Sequence, residues 1–237
     1  MKDLLTVLAV GAHPDDLEIL CAATLARYAA GGHKVIMAHL TNGDKGHTNM
    51  DPAKLATLRR AEAQAAGRII GAEVVGLDLP DARLFSDDKT RDRVIDLVRQ
   101  ARPDVVITLS RRDYSSDHVT TSRLVCDATF LASAPLIKTD FPHIDKLPPI
   151  YFCDTVFGLN SDADIYVDVS ETFAAKLRML RCHKSQLKWL KDHTKSDVVK
   201  DVECVGRFRG IQCGVRYAEA FSEYNVWPFK VPQRLLP

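Results

Sequence analysis

The sequence predicts an α/β fold in three layers, with a mostly parallel sheet between two layers of helix. Three observations predict it. Short apolar runs rich in Val, Ile and Leu recur along the chain, as in strands covered on both faces. Stretches with apolar residues at spacings of three and four separate those runs, as in amphipathic helices. The two patterns alternate, which is the order of βαβ units. The 237 residues, 46% of them hydrophobic, suffice for one sizeable core. A chain of this length buries roughly 70–75% of its unfolded surface, so one domain is expected.

Residues 4–10, apolar but for Thr6, read as the first buried strand. A turn at Gly11-Ala12-His13-Pro14 leads into a helix that carries Leu17, Leu20, Cys21, Leu25 and Tyr28 and stops at Gly31-Gly32. A second strand, 34–41, completes a β-α-β unit with a right-handed crossover. Then follow a helix at 52–71, a short strand at 73–77, a helix at 89–101 and a strand at 104–109. Residues 118–133 read as helix, 150–154 and 165–169 as strands, and Ser170 as the N-cap of one long helix through Trp189. The polar stretches 42–51 and 140–149 lack periodicity and read as loops.

Composition excludes several classes. Lys and Arg number 32 against 31 Asp and Glu, a formal charge of +1. A nucleic-acid binder held by phosphate charge carries a basic excess, which is missing here. No apolar run reaches the ~18–20 residues of a membrane span, and the stretch before His13 is too short for a secretory signal. The six cysteines are scattered, without Cys-x-x-Cys spacing, and read as free thiols in a reducing cytoplasm.

In an open α/β sheet, ligands bind at the carboxyl ends of the strands. Those ends hold Ala12-His13-Pro14-Asp15-Asp16-Leu17-Glu18, Thr41-Asn42-Gly43-Asp44, Leu79-Pro80-Asp81-Ala82-Arg83 and Arg112-Asp113-Tyr114-Ser115-Ser116-Asp117-His118. His13 and Asp16, three residues apart at a strand-to-helix turn, can reach one ion, and His118 from a neighbouring strand end would complete a three-ligand set. Nitrogen and oxygen donors without thiolate suit Zn²⁺, and also Fe²⁺, Co²⁺ or Mn²⁺. Asp15, beside the presumed ligand, is left for the work of a general base. An Asp-Asp pair at a helix start also serves as ordinary capping, and spacing alone does not choose between the two.

The segment from Ala12 to Glu18 resembles the signature of the LmbE-like (PIG-L) family of zinc-dependent deacetylases. Asp113…Asp117-His118 falls at the family's second metal motif. Leu58-Arg59-Arg60-Ala61-Glu62-Ala63, Leu79-Pro80-Asp81-Ala82-Arg83 and Gly214-Val215-Arg216-Tyr217-Ala218-Glu219-Ala220-Phe221 also resemble family segments. The likeness covers a core of about 5–221, leaving 222–237 as a C-terminal tail of a single Rossmann-like domain spanning 1–237.

The resemblance implies Zn²⁺ held by His13, Asp16 and His118, with Asp15 as the base. It implies removal of an N-acetyl group from an N-acetylglucosamine-type sugar or conjugate, and self-association as a trimer or hexamer. Arg59 and Asp81 fall near substrate-binding positions. Asp117 is placed to steady a ligand imidazole or to cap its helix. One departure matters. The family's second motif usually reads His-Pro-Asp-His, and here Ser115 stands at its first histidine. Tyr114 and His183 are the candidates to take over its role as oxyanion donor or acid. The rival readings are an amidase on another N-acylated small molecule, and a binding protein of this fold without turnover.

Other features carry less. Gly43-Asp44-Lys45-Gly46-His47 lacks phosphate-loop spacing. The Lys-rich stretch 184–200 reads as a solvated helix. Residues 207–210 and 213–221 are expected in the outer wall of the site or a subunit contact. The aspartates at the strand ends predict a locally acidic pocket, better suited to a neutral or amine-bearing sugar than to a phosphorylated one.

Overall fold

The computed structural model describes residues 4–229. Seven strands form one sheet in the order β3-β2-β1-β4-β5-β7-β6. They are β1 (Thr6–Gly11), β2 (Lys34–Thr41), β3 (Glu73–Leu79), β4 (Val105–Thr108), β5 (Ile150–Cys153), β6 (Ile165–Asp168) and β7 (Ala218–Glu223). The first five are parallel in register, and β7 runs antiparallel between β5 and β6. The chain moves outward from β1 to β3, then returns to β4 on the other side of β1. That reversal makes a crevice between the carboxyl ends of β1 and β4.

Side-chain alternation along β1 separates two cores. Val7 and Ala9 join the one with Leu17, Leu25, Met37 and Phe173, while Leu8 and Val10 join the one with Ile36, Val94, Leu124 and Phe152. The first core lies under α1 (Asp16–Leu20), α2 (Ala22–Ala30), α3 (Pro52–Arg68) and α6 (Phe173–Leu180). The second lies under α4 (Asp88–Ala101) and α5 (Ser116–Ala132). The expected three-layer, mostly parallel architecture is the one found. Residues 42–51 and 140–149 lie between elements as loops, apart from the N-cap position Asp51.

Three features differ from expectation. The first helix is broken at Cys21 into α1 and α2. The break frees the first amides of α2, and the Glu219 carboxylate accepts from Ala23 N–H at 3.1 Å and Thr24 N–H at 2.7 Å. That carboxylate also meets Lys176 Nζ at 2.6 Å, so a residue of β7 caps a helix distant in sequence. The expected long helix from Ser170 to Trp189 is two, α6 and α7 (Lys184–Thr194), parted at 181–183. Ser170 is not the N-cap; its hydroxyl bonds Asp168 at 2.6 Å instead. The break turns His183 inward against Glu18 and lets Glu62 of α3 accept from Ser185 N–H and Oγ–H at 2.9 and 2.6 Å. Finally, α8 (Val198–Cys213) and β7 were not anticipated as elements.

The expected tail, 222–237, is described only to residue 229; β7 extends to Glu223, and Phe229 is buried in the second core. Residues 230–237 and 1–3 lie outside the described residues.

Candidate metal centre

The site is built at the β1–β4 crevice. The turn after β1 is locked by Asp16, whose Oδ2 accepts from the Ala12 and His13 amides at 2.9 and 2.7 Å. That carboxylate lies 3.4 Å from His13 Nδ1 and, through Oδ1, 3.2 Å from His118 Nε2. His118 comes from the first turn of α5, after β4. The donor atoms of His13, Asp16 and His118 all lie within 4.8 Å of one another.

Each imidazole has a carboxylate behind it. His118 Nδ1 lies 3.2 Å from Asp113, and His13 Nε2 lies 3.1 Å from Asp81 and 3.5 Å from Asp117. Carboxylates in that position orient a ligating histidine and raise its basicity. Asp117 therefore steadies His13, together with a bond from Ala82 N–H at 2.8 Å, rather than its neighbour His118. Asp113 does that for His118. Its role was missed, although its place at the strand end, five residues before the histidine, was visible.

The electrostatics favour positive charge here. Burial alone would lower both histidines, but Asp16 and the outer carboxylates override it. His13 rises well above its ordinary value and His118 is pushed up to about 10. Asp16 is buried, yet the two histidines hold it well below the usual carboxylate range. Two imidazoles and a carboxylate converging in a buried, cation-favouring spot fit a divalent metal of the zinc type.

Asp15 sits beside this set with φ 145°, in the left-handed region that a non-glycine residue seldom adopts. Burial raises its carboxyl, and Arg59 counters the rise. Arg59 Nη2 donates to Asp15 Oδ1 at 2.8 Å and to Pro14 O at 2.9 Å, while Nη1 donates to Gly43 O at 3.0 Å. Arg59 is only 2% exposed. Gly43 makes room for it: a Cβ there would stand 2.3 Å from Nη1, on a backbone with φ +68°. Arg60, the other register, is exposed and pairs with Asp78. Expected as a substrate contact, Arg59 is here first a brace for Asp15, although it also lines the cavity.

Asp81 also reaches the cavity, where burial would raise its carboxyl but the bond from His13 holds it below the usual value. Tyr114 stands on the rim, 86% exposed, its ring 6.1 Å from that of His118. Ser115 is the N-cap position of α5 and lines the cavity. His183, the other candidate, is packed in the interior. It is 0% exposed and lies 3.2 Å from Glu18, outside the cavity wall, so it does not replace the missing motif histidine. The six strand-end aspartates do gather: Asp44 completes the group by accepting from Asp81 N–H at 3.2 Å. Lys45, Arg59 and Arg112 line the same cavity and offset that charge.

The cavity has a volume of about 910 Å³. Its far wall comes from 155–160, whose backbone is held by the Arg209–Asp154 pair at 2.7 Å, and from the face of α7 with Trp189 and Leu190. The Lys-rich helix is thus solvated on one side only. No helix among the described residues is long and apolar enough to cross a membrane.

Fold and site together define an α/β protein with two histidines and one aspartate gathered as a candidate metal centre at the switch point of a mostly parallel sheet. The chain belongs to the PIG-L family: the family model described as GlcNAc-PI de-N-acetylase matches residues 8–129. Among curated proteins it is 27% identical to 4-oxalmesaconate hydratase of Pseudomonas putida over 191 residues, covering 76% of this chain and 74% of the relative. It is also 27% identical to diacetylchitobiose deacetylase of Thermococcus kodakarensis over 192 residues, covering 78% and 71%. Among solved structures, N,N′-diacetylchitobiose deacetylase of Pyrococcus horikoshii shares the fold, with a TM-score of 0.83 at 24% identity over 96% of this chain and 88% of that one. The 4-carboxy-2-hydroxymuconate hydratase of Pseudomonas putida gives 0.83 at 24% identity over 98% and 99%.

Proposed function

We propose that this protein is a metal-dependent hydrolase that removes the N-acetyl group from an N-acetylglucosamine-type sugar or sugar conjugate, releasing acetate and a free amine. The observation that carries the reading is the buried Asp15 carboxylate, braced by Arg59 beside the His13, Asp16 and His118 donors. Family membership and the diacetylchitobiose deacetylase relative support the substrate class. Zn²⁺ is the ion the donor set suits best, held by His13, Asp16 and His118. A divalent ion there supplies Lewis-acid chemistry, polarising a carbonyl oxygen and lowering the pKa of water toward ~7.

The chain's own part begins with Asp15. As general base it takes a proton from the attacking water, whose oxygen bonds the acetamide carbon. As the C–N bond breaks, Asp15 returns that proton to the departing nitrogen. Arg59 holds the carboxylate in place through this exchange, and its guanidinium counters the upward push that burial gives Asp15. Asp113, Asp81 and Asp117 fix the two imidazole planes. Tyr114, exposed at the rim, would donate a hydrogen bond from its phenol to the developing oxyanion once the substrate is seated against it.

An amine-release assay against N-acetylated sugars, with added Zn²⁺, tests the reading. Release by the wild type and loss in Asp15→Asn is the expected result; no release from any acetamide sugar rejects it. A second reading, hydration of an unsaturated carboxylate, is favoured by Ser115. Water addition to a double bond puts hydroxyl on one carbon and a proton on its neighbour and expels no amine, so it needs no acid aimed at a leaving nitrogen, and the hydratase relative has similar sequence. Loss of the ultraviolet absorbance of a conjugated dicarboxylate, without amine release, would select it.

A further inference from the structure

The cavity is far larger than its metal pole, and the two ends differ in chemistry. Away from His13 and His118, most of its wall is apolar, from Ile19, Val156, Phe157, Leu159, Trp189 and Leu190, with Thr155, Asn160, Gln186, Thr194 and Ser196 set among them. The apolar six arise from three separate elements, α1, the segment after β5, and α7. Ile19, Val156 and Leu190 are backed directly by the first hydrophobic core, so this wall is a continuation of packed interior. Phe157 and Leu159 carry it outward to the mouth, 47% and 75% exposed. The Trp189 ring is fixed by parallel stacking on His193, with 5.1 Å between centroids and 8° between planes.

Such a wall is specified, not incidental. Gln186 Nε2 donates to Gly46 O at 2.9 Å, and Glu62 caps the start of α7, so the helix is pinned with its apolar face to the cavity. An acetamido sugar alone offers mostly hydroxyls, and the six apolar side chains of this wall cannot hydrogen-bond those that lie against them. Burying them there without partners would weaken binding. An alkyl or aryl group would gain by leaving water.

We propose that the substrate is amphipathic: an N-acetylated head at the metal pole, bearing an alkyl or aryl substituent that lies against Trp189, Leu190, Val156 and Phe157. The identity of the head rests on the de-N-acetylase reading; the apolar subsite does not. The cavity admits a drug-sized molecule of that kind in full, since such sites span roughly 300–1,000 Å³. The alternative occupant is a second sugar stacked on the indole. The aliphatic neighbours of Trp189 argue against it.

Calorimetric titration of the wild-type protein with octyl and methyl β-D-glucopyranoside, below micellar concentrations, tests the subsite without any turnover. The octyl glycoside should bind about tenfold tighter or better, the effect of burying about two methylenes. Trp189→Ala and Leu190→Asn should each remove most of that advantage, with an unchanged circular dichroism spectrum. Equal affinities, an advantage untouched by both variants, or tighter binding of N,N′-diacetylchitobiose than of the octyl glycoside overturns the proposal. In parallel, kcat/KM for octyl and methyl 2-acetamido-2-deoxy-β-D-glucopyranoside is read by amine release. Release from neither, with the octyl preference intact, rejects the deacetylase reading and leaves the apolar subsite standing.

Discussion

The two ends of the cavity are built from different parts of the chain and by different rules. The metal pole comes from strand ends within the first 118 residues: His13, Asp15 and Asp16 after β1, Asp81 after β3, Asp113 and His118 after β4. It is crowded with charge, and every ligand has a second group fixing it. The opposite wall comes mainly from 155–198, uses apolar side chains, and is held from behind by Arg209–Asp154 and Glu62–Ser185. The contrast teaches a division of labour. The pole sets which bond reacts, and the wall sets what is attached to it. A change at the pole should alter kcat at constant preference. A change in the wall should alter preference at nearly constant kcat for the simplest substrate.

The largest expected effect tests the pole. Asp15→Ala should lower turnover by about 10²–10⁴-fold, the usual contribution of a positioned general base. Zinc content by atomic absorption should stay stoichiometric, because His13, Asp16 and His118 remain. His118→Ala should instead lose the metal. Equal activity in wild type and Asp15→Ala would remove Asp15 from the mechanism and undo the division at its first step.

Next in size is a change in the scaffold behind the wall. Glu219→Ala leaves Lys176 buried without its carboxylate and the α2 amides uncapped. Breaking a buried pair in this way costs about 3–5 kcal/mol, which urea unfolding would register. Folded enzyme should keep its kcat, since Glu219 does not touch the cavity. A loss of kcat with stability intact would mean that the two regions are coupled.

Those two residues also mark what the sequence made legible. His13, Asp15, Asp16 and His118 were readable because the motif is local and the strand-end rule brings it together. β1, β2, β4 and β5 were readable because a strand covered on both faces shows as an apolar run, whereas β3 and β6, at the sheet edges and only partly buried, showed as short Val- or Ile-bearing segments. Glu219 was not readable as a cap, because its partners Ala23 and Thr24 lie almost two hundred residues away. The breaks at Cys21 and 181–183 escaped for the same reason: apolar spacing continues through them, and distant carboxylates make the interruption tolerable. Asp197, which accepts from Lys200 N–H, was a capping signal for α8 that polar surroundings hid. His183 was visible as a histidine, but its burial against Glu18 follows from the α6–α7 break, which local pattern does not show.

A smaller effect concerns acid stability. His39 on β2 is buried, and burial holds it down at about 4, with Nε2 lacking a hydrogen-bond partner. An unfolded histidine titrates near ~6.5. Above that value both states are neutral and the native state keeps its full stability. Between about 6.5 and about 4 only the unfolded chain takes the proton, so stability falls as pH falls. His183, away from the metal donors, has a raised value and acts on the alkaline side, where its contribution is lost as pH rises. His39→Leu should therefore flatten the acid limb. Relative to the variant, wild type should lose about 2–3 kcal/mol between pH 7 and 4.5. Parallel stability curves would show that His39 is not held neutral.

The smallest effect falls on the border between the two regions. Tyr114 belongs to the β4 strand end by sequence but stands at the mouth with its side chain largely in water. A fixed oxyanion donor is worth about 10²–10³-fold in kcat. A hydroxyl this exposed is positioned only by the substrate, so Tyr114→Phe should slow kcat by less than about tenfold, with KM nearly unchanged. Comparison of methyl and octyl acetamido glycosides sharpens the assignment. An equal slowing of both places Tyr114 with the pole, acting on the bond that reacts. A slowing confined to the octyl glycoside places it with the wall. A hundredfold loss on both would mean that the rim closes over the substrate, because only a desolvated phenol could contribute so much.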